Sequence, residues 1–202
     1  MTAEPEGSPS ATLDALRRSR GEGWDWPRIQ TDPCPQCGDH PGVRPLETLG
    51  ELARRRAEAW GQFLADSNDV YLRTNPRPGV FSPLQYGAHV RDILRVYTDR
   101  MLLGLREDKP SFASFNPDDD TWESYNRLDP DQLGHDIDAQ AQRLQEVLNG
   151  VRASGWGRTV VSNRGGDGVY TFTVAGLACN AVHEAHHHLL DANGTLPIGS
   201  DR

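Results

Sequence analysis

Residues 172–191 read FTVAGLACNAVHEAHHHLLD, and the way their four histidines divide among helical faces decides what this chain builds. On a helix, side chains four apart lie one above the other, and immediate neighbours diverge by about 100°. His183 and His187 therefore share one face, His186 borders it, and Glu184 with His188 forms a second pair four apart. Extending the first face collects Gly176, Cys179, Asn180 and Leu190, small or apolar residues suited to a bundle interior. Two buried imidazoles without a shared partner are costly, because each keeps a polar nitrogen to satisfy. A metal ion resolves that cost if a third ligand arrives from another helix.

Working outward, the best third ligand is His89 in QYGAHVRD, whose neighbours Tyr86, Ile93 and Val96 make its side of the helix largely apolar. Three imidazoles with an open position are an arrangement of catalytic zinc, and nickel, iron or cobalt accept it too. The expected metal ligands are His89, His183 and His187, against the plain alternative of unrelated surface histidines. His135, near the start of its helix, looks less suited to the core.

The rest of the chain supplies the frame. Leu46, Leu49, Ala53, Ala57, Trp60 and Leu64 recur three or four apart and predict a first helix over 46–64. Ser82, Pro83 and Gln85 read as cap, first helical position and capping box, launching a second helix to about Leu105. Asp129, Pro130 and Gln132 start a third, with Leu133, Ile137, Leu144 and Val147 as its stripe. Period-two runs RTVVS and VYTFTV, separated by NRGGDG, read as a small hairpin before the last helix. The expected fold is all-α: a four-helix bundle over 46–191, each helix burying one apolar stripe. Residues 1–20 are expected to be disordered or fraying, 21–45 to wrap over the domain with Trp24 and Trp26 as anchors, and 192–202 to form a tail. Residues 108–128 read as a long loop whose Phe112, Phe115, Trp122 and Tyr125 suit a flat apolar substrate near the bundle mouth, a dimer interface or the core.

A formal charge of -8, from 29 acidic and 21 basic residues, speaks against a nucleic-acid backbone binder. No apolar run approaches a membrane span and the start lacks a secretion signal, so the expected compartment is the cytoplasm. Three cysteines make no disulfide framework.

Residues 183–187 also satisfy H-E-x-x-H, the zinc-protease motif in which glutamate activates water. The extended form needs glycine and histidine where this chain has Leu190 and Asn193, and one hairpin is thin provision for holding a peptide. Glu184 is better read as positioning a ligand or water.

SPLQYGAHVRDILRVYTDRM and, some ninety residues later, FTVAGLACNAVHEAHHHLLD together resemble the DinB-like metalloenzyme superfamily, whose members include mycothiol-dependent maleylpyruvate isomerase and bacillithiol transferases. In that family one ligand comes from the second helix and two, four residues apart, from the last. These match His89 and the pair His183 and His187, and some members have glutamate in the pair. The resemblance implies an up-down-down-up bundle and an enzyme in which a divalent metal, zinc above all, activates a low-molecular-weight thiol such as mycothiol for transfer to, or isomerisation of, a small electrophile. Arg91 and Arg95, ahead of Arg100, are the candidate anchors for the thiol cofactor, and Asp92 either supports a ligand histidine or pairs with an arginine. The alternatives are a hydrolase in which Glu184 or His186 manages the proton, and a non-enzymatic metal-binding or stress protein. A homodimer is compatible with each.

Cys34 and Cys37, in CPQCGDH, lie outside the minimal family pattern. Three readings stay open: a second, structural zinc completed by His40 and by His186 or His188, free stress-sensitive thiols, or a redox pair. Cys179 is either a neighbour of the metal or a small buried hydrophobe.

Overall fold

Each of the four apolar stripes becomes a long helix in the computed structural model, which describes residues 26–113, 115, 117–163 and 169–196. These are α1 (Leu49–Asp66), α3 (Pro83–Arg106), α5 (Pro130–Asn149) and α6 (Val174–Ala192), with short helices α2 (Asp69–Arg73) and α4 (Asp119–Tyr125) between them. Their starts follow local chemistry. Ser82 Oγ accepts from the Gln85 backbone N–H while Gln85 Oε1 accepts from that of Ser82, closing the expected capping box. Asp129 caps α5 through the Gln132 N–H, and Thr173 caps α6 through the Gly176 N–H. Each such cap stabilises a helix start by about 1 kcal/mol.

The extensive helix contacts are α1 with α5, α3 with α6, α3 with α5, and α1 with α6. Helices that follow one another in the chain are thus not all neighbours in space. The chain crosses the bundle between α1 and α3 and again between α5 and α6. Trp60, Leu64, Leu94, Met101, Ile137, Leu144 and Leu177 fill the centre, and Trp60 Nε1–H donates to the Ala185 carbonyl at 2.7 Å, tying α1 to α6.

The expected hairpin is present as β2 (Thr159–Asn163) antiparallel to β3 (Val169–Thr173), with Val161 opposite Thr171. A third strand, β1 (Ser111–Ala113), pairs parallel with β2. The connection over 108–128 is therefore not a plain loop, since it holds β1 and α4. Three residues of strand and two helical turns are too short to carry a readable period. The tip of the hairpin, residues 1–25 with Trp24 and the stretch expected to be disordered or fraying, and most of the C-terminal tail lie outside the described residues.

The 26–45 segment lies along α6; the expected anchors, Trp24 and the Trp26 side chain, lie outside what the structure describes. Ile29, fully buried, sits in the short helical turn Trp26–Gln30 that packs on α6. Gln30 Oε1 accepts from the Thr173 hydroxyl at 2.7 Å. Asp39 receives both Arg56 guanidinium nitrogens at 2.8 and 2.9 Å, and Arg56 also donates to the Val182 carbonyl at 2.7 Å. This buried fork joins the segment, α1 and α6. Arg56→Ala strands the Asp39 carboxylate, and the expected loss is about 3 kcal/mol in urea unfolding; a loss below about 1 kcal/mol would show the fork to be dispensable. Among the described residues no helix is long and apolar enough to cross a membrane.

Candidate metal centre

α6 carries donors on two adjacent faces, and each face meets a different partner. One face, with His183 and His187, is covered by the N-terminal segment. Cys37 Sγ lies 3.5 Å from His183 Nε2, and Cys34 Sγ lies 3.6 Å from His187 Nδ1. The other face, with Glu184 and His188, is covered by α3. His188 Nε2 lies 3.1 Å and His89 Nε2 3.7 Å from the same Glu184 carboxylate oxygen, Oε2.

Two sets of mutually close donor atoms result: Cys34, Cys37, His183 and His187, and His89, Glu184 and His188. A third set, His187, His188 and Asp191, overlaps both. No such set among the described residues contains His89 with His183 and His187. Helical faces do separate the cluster into two pairs four apart. The N-terminal segment makes a second face of α6 interior, beside the one that meets α3.

Glu184 consequently stands at the centre. Its side chain is only 4% exposed, against 17% for His89 and 12% for His188, so the two imidazoles keep access to solvent where the carboxylate has almost none. Its other oxygen, Oε1, is 3.7 Å from His183 Nδ1, and neither atom has a hydrogen-bond partner. Burial pushes the Glu184 carboxyl up, but the imidazoles of His183, His188 and His89 outweigh it and hold the group well below the usual carboxylate range. Burial likewise opposes charge on His188, yet Asp191 and Glu184 push it up to about 10. For His183 burial is overcome by Cys34 and Glu184, giving about 9. The Cys34 thiol is held far below its ordinary value by Cys37, which outweighs burial, and Cys37 is raised correspondingly. His89 is pushed down by burial. Without a metal, protons on His183 and His188 thus neutralise anionic oxygen and sulfur in a space that water barely reaches.

The donor sets suit divalent cations. Metal–ligand bonds of about 2.0–2.3 Å at tetrahedral angles separate sulfur from nitrogen by about 3.6 Å and nitrogen from oxygen by about 3.4 Å. The observed sulfur–nitrogen distances match the first value. The nitrogen–oxygen distances of 3.1 and 3.7 Å straddle the second. His188 Nδ1 lies 2.8 Å from Asp191 Oδ2; with an ion bound, Nδ1 would keep its proton for Asp191 and Nε2 would turn its lone pair to the ion. A carboxylate behind a ligand imidazole is the usual second support of such sites. The protein contains a candidate metal-binding Cys/His cluster consistent with a metal-dependent enzyme.

The remaining expected site residues lie elsewhere. His40 does not join the thiols; its buried Nε2 has no hydrogen-bond partner, and His183 and His187 occupy the place expected of it and of His186 or His188. His186 belongs to no donor set and sits beside Arg56 and Asp39; burial, then Arg56, lowers its pKa. Arg91 pairs with Asp92, and Arg95 with Asp99 at 4.0 Å. Asp92 also accepts from the Tyr125 hydroxyl at 2.6 Å. Arg100 lies over the Phe112 ring and donates to the Ala113 carbonyl. Cys179 is fully buried, with burial pushing its thiol up to about 12, which makes it a small inert core group. His135 is exposed on α5.

Of the aromatic rim, Trp122 and Phe115 reach the His89 ring, at centroid distances of 5.4 and 6.2 Å. Tyr86 stacks on His188 at 5.2 Å, and Phe81 stacks on Trp122 at 3.9 Å. His89 and His188 therefore sit at the base of an aromatic wall drawn from α3, α4 and the loops before them.

A search of curated proteins by sequence matched none. Among solved structures the chain is similar to YfiT from Bacillus subtilis, described as a probable metal-dependent hydrolase with an unusual four-helix bundle topology. The TM-score is 0.66 over 83% of this chain and 95% of that one, with 17% identity, a likeness of fold. The sequence pattern of the DinB superfamily matches residues 51–191, from the first turn of α1 to Asp191 behind the histidine cluster, and the chain belongs to that superfamily.

Proposed function

We propose that the protein is a metal-dependent hydrolase acting at His89, Glu184 and His188. The observation that carries this reading is the donor set itself, two imidazoles and one carboxylate around a common point. Three protein ligands leave a fourth position for water or substrate, as catalytic sites require. The description of YfiT as a probable metal-dependent hydrolase favours the same class over thiol transfer.

A divalent ion held there would supply Lewis acidity toward water and a polarised carbonyl or ester oxygen. The chain's own residues do the rest. Asp191 fixes the His188 tautomer, so that Nε2 and not Nδ1 is the free donor. Glu184 brings a negative charge into a buried position, and its neighbours keep it ionised. Tyr86, Phe115 and Trp122 restrict water and offer flat apolar surface to a substrate.

The test loads the protein with zinc, nickel, cobalt or manganese and assays a panel of aryl esters and amides. Turnover is expected to need metal and to fall at least about 100-fold in His89→Ala. Equal turnover by the metal-free protein, or full activity in His89→Ala, would overturn the reading. The same assay with mycothiol and a small electrophile examines the thiol branch of the family: turnover only in the presence of thiol would replace hydrolysis by thiol transfer.

A further inference from the structure

The second donor set has no part in that reaction. We propose that Cys34, Cys37, His183 and His187 form a closed, tetrahedral zinc site that staples the N-terminal segment to α6.

Three independent features point to it. The first is the turn that presents the thiols. Gly38 N–H donates to the Cys34 carbonyl and Cys34 N–H to that of Asp39, at 2.9 and 2.8 Å, with Gly38 at φ +73°. Cys34 and Cys37 therefore project from one tight loop, whose left-handed position is easy for glycine. The second is distance: both sulfur–nitrogen separations equal the edge of a zinc tetrahedron with two sulfurs and two nitrogens. The third is the support behind the rings. His183 presents its distal nitrogen to Glu184 at 3.7 Å, and His187 presents its own to Asp191 at 3.5 Å. Each imidazole thus has a carboxylate near one nitrogen and a cysteine sulfur near the other.

Charge closes the argument. With the ion bound, two thiolates balance one Zn2+ and the two imidazoles are neutral, the two protons displaced from the cluster passing to solvent. The product carries no net charge in a buried place. Four protein donors also leave no position for substrate, which separates this site in kind from the three-donor site on the neighbouring face. Soft sulfur favours zinc here over magnesium, calcium or manganese.

The test uses full-length His89→Ala protein, prepared under reducing conditions with zinc, so that the open site is disabled. About one zinc per chain is expected, with two sulfurs at about 2.3 Å and two nitrogens at about 2.0–2.1 Å in X-ray absorption. A shell without sulfur, or a Cys34–Cys37 disulfide in protein that holds no zinc, would overturn the proposal. Cobalt loading of the unmodified protein gives a second reading independent of that variant. A thiolate-to-cobalt charge-transfer band should appear and vanish in the Cys34→Ser, Cys37→Ser double variant, and its absence from the unmodified protein sinks the idea. Neither failure touches the hydrolase reading, which stands or falls on His89→Ala activity.

Discussion

Glu184→Ala is expected to weaken metal binding at the open site by at least about 100-fold, measured by competition with a chelating dye. Activity should fall with it. The substitution removes the group that His89 and His188 share, and it leaves His183 Nδ1 facing empty space. It also destabilises the fold, by about 3 kcal/mol, because positively charged His188 loses the buried one of its two carboxylate partners. Glu184→Gln separates the two effects: it keeps the volume and a donor atom, so stability recovers more than affinity does. Affinity within tenfold of the unmodified protein in both variants would show that Glu184 is not a ligand.

The second large effect concerns stability without chemistry. Replacing Cys34 and Cys37 by serine, or stripping zinc with a strong chelator, should lower the melting temperature by about 10 °C. The figure follows from a cross-link that closes a long loop, worth about 4 kcal/mol, acting on a chain in which each kcal/mol moves the midpoint by about 2–4 °C. Helix content should change little, because Trp60, Leu94, Ile137 and Leu144 pack the bundle without the segment. Proteolysis should instead appear near the 33–41 turn, once the Asp39–Arg56 pair is its remaining ionic tie. An unchanged midpoint in chelated protein would mean that the thiols and histidines hold no stabilising ion.

These two results bear on how much of the molecule could be read from its sequence. Local signals carried the frame: Ser82 with Gln85, and Asp129 with Gln132, mark helix starts by bonds made within four residues. The four stripes then dictate a bundle, since each must bury its apolar side. β1 and α4 escaped because three and seven residues do not establish a period. The site was legible in its donors but not in their grouping. His89 and the two pairs on α6 were visible, and so was the Cys34–Cys37 spacing. Which pair met His89 depended on what covers each face of α6, a contact between residues about 150 positions apart. Asp191, three residues beyond His188, supports that ring; the sequence reading assigned it no role, although the i,i+3 spacing places it on the same side of the helix.

The offset of one residue between the two pairs has a mechanical side. Successive residues on a helix point about 100° apart, so α6 is gripped at two compass bearings, from the segment on one side and from α3 on the other. A rod held at one bearing can still roll about its long axis; held at two, it cannot. Neither roll nor a one-residue slide of α6 is open to the chain without breaking both sets of donor contacts together. The histidine-rich helix is thus a keyed shaft, and the spacing of His89 from His188 is set by a torsional lock whose other half is the Cys34–Cys37 turn.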